Sequence, residues 1–157
     1  MSITIRKMIP EDMSHAVSIL SQWNIAPIIP SRENPDPERS SINIGNSFVA
    51  LDRDRVIGVC SYIIHSEELA ETASLAVDSD YKNKGIGYKL QKARLDEMKK
   101  RGIKRVRTET DRPENVEWFT KKFHYRIIGK NKKKHPFGLP DIDYWNVLEL
   151  DLERYEG

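Results

Sequence analysis

The amino-acid sequence predicts an α/β fold, in which one mixed and mainly antiparallel central sheet is flanked by helices. Strand-like and helix-like patterns follow one another in the order β-α-loop-β-β-β-α-β-α-β-β. Several strands mixed with a few helices are typical of a single sheet that is covered by helices. The length of 157 residues fits one domain, residues 1–157, with a sizeable hydrophobic core.

The first half of the chain is predicted to form a strand, a helix, a long loop and a hairpin. Residues 2–8 alternate between apolar and polar side chains, as a half-buried strand does. A helix begins at Pro10, and apolar residues then recur at helical spacing. Prolines in the segment 26–46 exclude one long helix there, so we expect a loop. Two strands joined by a turn follow, at residues 47–51 and 56–64.

The second half is predicted to contain two further helices, each between strands. The helix over residues 85–101 carries apolar residues on more than one side, which indicates that other elements cover it widely. Basic residues in its last turn and Gly102 behind it favour an end at that point. The other predicted elements are strands at residues 72–77, 103–110, 125–129 and 144–152, and a short helix at residues 113–123.

Composition limits the classes of protein to which the chain can belong. Hydrophobic residues make up 38 % and charged residues 32 %, which are ordinary values for a soluble globular protein. The net charge of +2 is too small to indicate nucleic-acid binding by itself. No apolar run approaches the ~20 residues of a membrane span, and the N-terminus lacks the apolar core of a signal peptide. Cys60 has no partner for an internal disulfide, so we expect a cytoplasmic protein.

The stretch YKNKGIGYKL, residues 81–90, is the strongest functional signal in the sequence. A helix N-terminus presents unpaired N–H groups and a partial positive charge. Gly85 and Gly87 remove side chains there, so that a phosphate can approach the backbone, while Lys82 and Lys84 add positive charge. The pattern predicts a site for a pyrophosphate group. A dinucleotide fold and a P-loop are both excluded, because neither G-x-G-x-x-G after a first strand nor G-x-x-x-x-G-K-[ST] is present.

At this position the sequence resembles the GNAT superfamily of N-acetyltransferases. Lys82-Asn83-Lys84-Gly85-Ile86-Gly87 is similar to the family motif Q/R-x-x-G-x-G/A between the fourth strand and the next helix, with lysine in the first place. The later stretch ENVEWFTKKFHY, residues 114–125, is similar to the family's N…FYEKLGF region. The resemblance spans most of the chain and implies the GNAT fold, with acetyl-CoA as cosubstrate.

The resemblance also implies roles for matching residues. Backbone groups of Leu75 and Val77 would pair with the pantetheine arm of acetyl-CoA, and Asn115 and Phe119 would flank its thioester end. The residues implied to hold the pyrophosphate, through a side chain or through N–H groups, are Lys82, Asn83, Lys84, Gly85, Ile86, Gly87 and Tyr88.

The reaction implied by the resemblance is direct attack of an amine on the acetyl thioester. An amine with a lysine-like pKa of about 10.4 is protonated at neutral pH, and removal of its proton costs roughly 4.6 kcal/mol. A general base would help. Glu71 begins the strand before the glycine loop and resembles the catalytic glutamate of the histone-acetyltransferase branch, although a solvated carboxylate is an equal alternative. Glu109 is the second candidate.

The leaving-group acid is the position where the sequence departs from the family. Thr120 stands where many members carry a tyrosine, and threonine is shorter and a far weaker acid. Water, Tyr125 or Tyr144 are alternatives, and weak or absent activity is another. The second hypothesis is therefore a non-catalytic acyl-CoA-binding sensor on the same fold. No Cys and His spacing indicates a metal site.

The expected partner is an amine acceptor, either a small molecule or a protein, and a homodimer is one further assembly under consideration. The loops at residues 26–46 and 132–143 are expected to shape the acceptor pocket, where Asp141 and Asp143 could attract a cation. The basic run at residues 130–135 could contact RNA, the 3′-phosphate of CoA or an acidic substrate, but a solvated hairpin is the preferred interpretation. We expect neither nucleic acid nor a membrane as the main partner.

Overall fold

The protein forms a seven-stranded sheet in the order β1-β2-β3-β4-β5-β7-β6. The structure is a computed structural model that describes residues 2–23, 42, 44–133 and 139–156. The strands are β1 (Ile3–Lys7), β2 (Ser47–Asp52), β3 (Arg55–Ile64), β4 (Leu69–Val77), β5 (Arg105–Thr110), β6 (Arg126–Lys132) and β7 (Tyr144–Asp151). The helices are α1 (Met13–Gln22), α2 (Ile86–Lys100) and α3 (Pro113–Phe123).

All neighbouring strands are antiparallel except β4 and β5, which run parallel because α2 crosses over between them. The predicted mixed and mainly antiparallel sheet is therefore confirmed, together with the order of its strands and helices along the chain. No helix of the described residues is long and apolar enough to cross a membrane.

Two hydrophobic clusters cover the two faces of the sheet. The larger cluster lies under α2 and α3, where Ile86, Leu90 and Phe119 pack against the inner strands. The smaller cluster lies under α1, where Ile19 and Leu20 pack against β2 and β3. Among the described residues, α1 covers its face of the sheet at β2, β3 and β4.

Strand β4 carries a bulge at the residues that face the middle of β3. Cys60 pairs with Leu75 and Tyr62 pairs with Thr72, so Ala73 and Ser74 stand opposite Ser61 alone. An extra residue of this kind bends a strand and reverses which side chains face each side of the sheet. Before the bulge Ala70 belongs to the cluster under α2, whereas after it Leu75 packs against that same cluster.

Candidate active site

The two parallel strands β4 and β5 separate part of the way along their length. They pair from Leu69 opposite Arg105 to Thr72 opposite Thr108, and no pair between them follows. At the last pair the two threonine hydroxyls bond across the strands: Thr72 Oγ1 donates to the Arg107 carbonyl at 3.3 Å, and Thr108 Oγ1 donates to the Thr72 carbonyl at 3.1 Å. The strands thus form a fork that opens toward the carboxyl end of β4.

The open arm of β4 presents unused backbone groups to the fork. The Asp78 N–H bonds to the Ile57 carbonyl of β3 at 2.8 Å. Alternate residues of an antiparallel strand point their backbone groups to opposite sides, so Ala76 also faces β3 while Leu75 and Val77 face the fork. The Val77 carbonyl accepts a bond from Trp23 Nε1 at 2.8 Å. Leu75 and the Val77 N–H therefore form the edge on which an extended arm could pair.

The start of α2 has the properties of an anion site. Gly85 is its N-cap with φ of +77°, Asn83 has φ of +63°, and no side chain caps the helix. Gly87 has no such conformational reason to be glycine, because its φ lies outside the left-handed region and a Cβ added there would meet nothing within 4 Å. Glycine in a helix costs about 0.5–1 kcal/mol relative to alanine. Neither strain nor packing against the described residues explains this cost, whereas close approach of a ligand does.

Positive charge surrounds this helix start. Lys82, Lys84 and Lys89 are exposed. None of the three forms an ion pair with another described residue. Bonds from N–H groups to an anion are stronger than neutral ones, and the helix dipole adds to them. The glycines, the uncapped N–H groups and the lysines fit a diphosphate group.

A groove of about 650 Å³ runs from Tyr88 along α2, between the end of α3 and the C-terminal residues 150–156, which contribute the carboxylates of Asp151 and Glu156. Its lining includes Tyr88, Lys92, Lys122, Phe123 and Arg126. The exposed Tyr88 ring stacks on Phe123 with their centroids 5.2 Å apart. The groove thus combines an aromatic surface with charges of both signs.

Glu71 lies on the paired part of β4, one residue before the fork. Its Oε1 lies 2.9 Å from His65 Nε2, and its side chain is 12 % exposed against 43 % for His65. The pair connects the carboxylate to solvent through the imidazole. The sequence analysis did not single out His65, although its place six residues before Glu71, across the β3–β4 turn, was the available signal.

Glu109 lies on the same face of the sheet as Glu71. Glu71 stands opposite Arg107 in the register of β4 and β5, and Glu109 follows two residues later, about 6.6 Å further along β5. Both side chains point away from α2 and α3, because Ala70 and Val106 belong to the cluster under those helices and side chains alternate between the two faces along each strand. The fork therefore has carboxylates near its base on one face and the glycine loop beyond its mouth.

The α3 residues predicted to flank the thioester lie in two different environments. Asn115 sits in the first turn of α3 at the mouth of the fork, and its Nδ2 donates to Thr110 Oγ1 at 3.3 Å. Phe119 is only 5 % exposed and packs in the larger cluster, with its ring 5.1 Å from that of Tyr125. Asn115 can reach a ligand in the fork, whereas Phe119 supports the wall behind it.

The three candidates for the leaving-group acid differ in accessibility. The Thr120 hydroxyl bonds within its own helix, 2.9 Å from the Val116 carbonyl and 3.1 Å from that of Glu117. Tyr125 is 3 % exposed, its oxygen accepts a bond from Gln91 at 2.9 Å, and burial raises its pKa. Tyr144 is partly exposed under the Lys130 ammonium, which lies 4.4 Å from its ring centroid. Tyr144 is thus the more accessible of the two tyrosines.

Cys60 lies behind the fork but is a poor nucleophile. It is fully buried, and burial raises the pKa of its thiol to about 11. A thiol with this pKa is almost entirely protonated at neutral pH, and the thiolate is the reactive form. The site therefore favours direct attack by the acceptor over an acyl-cysteine route.

The basic run at residues 130–135 is solvated at residues 130–132, as predicted for a hairpin, but Lys133 departs from that prediction. Lys133 is buried against Asp111, with 2.7 Å between Nζ and Oδ2, and its Nζ also donates to the Leu139 carbonyl at 3.0 Å. This ion pair ties the β6–β7 connection to the end of β5, so Lys133 cannot serve an RNA backbone. The predicted pocket loop at residues 26–46 lies outside the described residues except for residues 42 and 44–46, whereas the loop at residues 132–143 is described except for residues 134–138.

A fork in a mixed sheet, with an anion site at the following helix, defines an acyl-CoA-type binding fold. A sequence model described as the Acetyltransferase (GNAT) family matches residues 16–125, which is more than half of the chain. The chain therefore belongs to the GNAT acetyltransferase family, and the family predicted from the glycine motif is confirmed.

Known relatives and structures agree with this assignment. N-alpha-acetyltransferase 30 of Schizosaccharomyces pombe is 42 % identical over 69 residues, which cover 41 % of this chain and 46 % of that protein. The chain thus matches about half the length of this relative. Ard1 from Thermoplasma volcanium has a TM-score of 0.72 at 18 % identity, over 96 % of this chain and 98 % of that one. The ribosomal-protein-S18-alanine N-acetyltransferase from Escherichia coli has a TM-score of 0.73 at 18 % identity, over 99 % and 97 %.

Proposed function

We propose that the protein is an acetyl-CoA-dependent N-acetyltransferase that acts on a primary amine by direct attack. Gly87 carries the proposal: it is an unstrained helical glycine at a lysine-rich helix start without a side-chain cap, and an added Cβ would meet no described atom within 4 Å. A bound diphosphate explains this combination. Acetyl-CoA supplies an activated acetyl thioester. A known structure of the same fold, N-acetylglutamate synthase from Neisseria gonorrhoeae, holds coenzyme A, with a TM-score of 0.69 at 18 % identity over 98 % of this chain and 36 % of that chain.

The residues of the chain then divide the work between binding and proton transfer. N–H groups from Asn83 to Tyr88 hold the pyrophosphate, and the lysines of the loop add charge. Leu75 and Val77 bind the pantetheine arm through backbone groups along the open edge of β4. Glu71 takes the proton of the amine and passes it to solvent through His65, which lies 2.9 Å away. Glu109 provides a second carboxylate on the same face.

The acceptor class that we propose is the α-amino group of a protein or peptide. An α-amine has a pKa of about 7.7–8.0, so its deprotonation at pH 7 costs about 1 kcal/mol, compared with roughly 4.6 kcal/mol for a lysine side chain. This smaller cost suits a site whose base is a carboxylate already bonded to a histidine. The names of the relatives, an N-alpha-acetyltransferase and an alanine N-acetyltransferase of a ribosomal protein, support the same class.

An acceptor panel tests this function. The purified chain is incubated with acetyl-CoA and either a peptide with a free α-amine, the same peptide blocked at its N-terminus but containing lysine, or a small polyamine. Release of free thiol and the product mass are measured. We expect acetylation of the free α-amine at the highest kcat/KM. Preference for the blocked lysine peptide or for the polyamine would overturn the acceptor class, while failure to bind acetyl-CoA would overturn the cofactor.

The alternative function, a non-catalytic acyl-CoA-binding module, is favoured by one observation. The Thr120 hydroxyl is directed to its own helix backbone and not toward the fork. This alternative would be supported if acetyl-CoA raises the thermal stability of the protein by ligand linkage but no acceptor of the panel causes the release of free thiol.

A further inference from the structure

A buried arginine on α2 is held against the bulge of β4. Arg94 is 0 % exposed, although charged side chains are almost never fully buried unless they are paired. Its Nε donates to Gln91 Oε1 at 2.6 Å, and Gln91 Nε2 in turn donates to the Tyr125 hydroxyl at 2.9 Å. Its partners are neutral groups, and within the part of the chain that the structure describes its Nη2 has no hydrogen-bond acceptor.

The guanidinium replaces missing ladder bonds at the bulge. Arg94 Nη1 donates to the Ser61 carbonyl on β3 and to the Ser74 carbonyl on β4, both at 3.0 Å. The Ser74 N–H donates to Ser61 Oγ at 3.1 Å. Side chains therefore satisfy both backbone groups of Ser74, which normal pairing with β3 would otherwise satisfy.

This arrangement is costly for stability alone. An ionised group removed from water without a counter-charge is unfavourable, and a well-packed apolar residue is often the more stable choice at such a position. Arg94 also stands on the apolar stripe of α2, eight residues after Ile86 and four after Leu90, where the pattern favours a hydrophobic residue. The burial of Arg94 therefore indicates a function that an apolar residue at this position would not perform.

We propose that Arg94 is a positioning residue for acetyl transfer, which fixes the bulged segment Ala73–Ser74 and thereby the open β4 edge at Leu75 and Val77. The bulge reverses the alternation of β4, so it decides which residues point their backbone groups into the fork. Displacement of a reacting group by about 1 Å can cost about 100-fold in rate. Arg94 acts through the backbone of β4, at a distance from the diphosphate site at the start of α2. The proposal rests on the proposed acetyltransferase function.

The test compares two ligands that use different parts of the site. Acetyl-CoA needs both the diphosphate site and the β4 edge, whereas 3′-phospho-ADP, the half of CoA without the pantetheine arm, needs only the diphosphate site. Arg94→Met should bind 3′-phospho-ADP within about twofold of wild type, because α2 keeps its N-terminus. Its kcat at saturating acetyl-CoA should fall by about 10- to 100-fold. Ser61→Ala removes only the acceptor of the Ser74 N–H and should lower kcat by about 3- to 10-fold.

Two controls separate positioning from folding. Arg94→Lys keeps the charge but lacks the planar guanidinium group, so it should recover only part of the lost kcat. Lys100→Met removes an exposed cation from the last turn of the same helix and should leave kcat within twofold. Amide exchange of Ala76, followed by NMR without ligand, should be at least tenfold faster in Arg94→Met and in Ser61→Ala, because the bulge loosens.

The outcomes distinguish the two proposals. If the wild-type protein binds neither acetyl-CoA nor 3′-phospho-ADP, the proposed acetyltransferase function is refuted. The amide exchange rate of Ala76 would then be the measurement that decides whether Arg94 holds the bulge. Unchanged kcat and unchanged exchange in folded Arg94→Met would overturn the role of Arg94. If Arg94→Met does not fold, the Ser61→Ala variant decides. A kcat and an Ala76 exchange rate equal to those of the wild type would then also overturn the role of Arg94. An equal loss of affinity for both ligands would indicate a general structural defect and contradict positioning.

Discussion

The helices α2 and α3 both begin at the mouth of the fork, yet their first turns are built in opposite ways. At the second helical position α2 has Gly87 and α3 has Glu114. Helix α3 begins with Pro113, which has no N–H that needs a partner. The negative charge of Glu114 complements the helix dipole, and its Oε1 lies 3.6 Å from Arg112 Nη1. Neither helix has a side-chain cap, but α2, unlike α3, has no acidic residue in its first turn.

The difference shows where the chain completes a helix itself and where it leaves the start open. The positive end of α3 is balanced by a carboxylate of the same helix. The positive end of α2 is reinforced by exposed lysines, and its glycine leaves the N–H groups uncovered. A helix start without an acidic residue and with added positive charge is suited to an external anion.

Exchange of the two second-position residues should give the largest effect. Gly87→Glu places a side chain and a like charge against the pyrophosphate, and the loss of two charge-assisted hydrogen bonds, about 3–6 kcal/mol, corresponds to a fall of about 10²- to 10⁴-fold in acetyl-CoA affinity. The same change should raise the Tm of the free protein, because it removes a helical glycine and adds an acid at the helix start. Calorimetric titration and a thermal melt measure the two effects.

Gly87→Ala is the matched control for this exchange. It fills little space and adds no charge, so acetyl-CoA affinity should stay within about tenfold of wild type, in line with the alanine that the family motif accepts. Equal affinity of Gly87→Glu and wild type would show that the diphosphate lies elsewhere.

The second prediction separates binding at the α2 start from chemistry at the base of the fork. Glu71→Gln keeps the shape of the side chain but cannot accept a proton, and it should lower kcat by about 10²- to 10⁴-fold with acetyl-CoA affinity nearly unchanged. The deficit should shrink as pH rises and the amine deprotonates unaided. Steady-state kinetics across pH provide the measurement, with the exposed Glu67→Gln as control. Identical pH–rate profiles for Glu71→Gln and wild type would leave Glu109 or water as the base.

A smaller effect is expected from the charge of the glycine loop. Lys82→Ala should weaken acetyl-CoA binding by about 3- to 10-fold at low salt and by less at physiological salt, because an exposed charge is screened. It should raise KM for acetyl-CoA more than it lowers kcat. Lys100→Ala, at the other end of α2, is the control and should change neither value. A large fall in kcat at constant KM would instead place Lys82 in the chemistry.

The smallest effect is expected at the α3 start. Glu114→Gly should destabilise the free protein by about 1 kcal/mol, through a poorer helix former and a lost dipole partner, and lower Tm by about 2–4 °C. Acetyl-CoA affinity should remain within twofold. A thermal melt and a titration on the same sample check both expectations. Tenfold weaker binding would mean that the two helix starts share the ligand and would remove the contrast between them.

The start of α2 could be predicted from sequence because its signals are local. Two glycines, the lysines and the beginning of a helical pattern all lie within residues 81–90. The strand and helix order could likewise be predicted, since hydrophobic periodicity and proline placement reveal each element. Helix α2 was predicted over residues 85–101 and spans Ile86–Lys100.

The fork and its support could not be predicted, because they depend on the register between strands that are distant in sequence. Nothing in the segment around Ser74 indicates that it stands with Ala73 opposite Ser61. Lys133 appeared as one more residue of a basic run, but it lies buried against Asp111, 22 residues away. Arg94 was visible only as a charge on an apolar stripe, a signal that becomes informative once the buried carbonyls it bonds are known.

The backbone amide signals of the two helix starts test the central claim most directly. In an NMR titration of the wild-type protein with 3′-phospho-ADP, we expect progressive shifts of the amide signals of Gly85, Ile86, Gly87 and Tyr88, because their N–H groups bind the diphosphate. The amides of Glu114 and Asn115 at the start of α3 should not move. Saturable binding with the main shifts at the start of α3, or with no shifts at the start of α2, would show that the start of α2 does not bind the diphosphate.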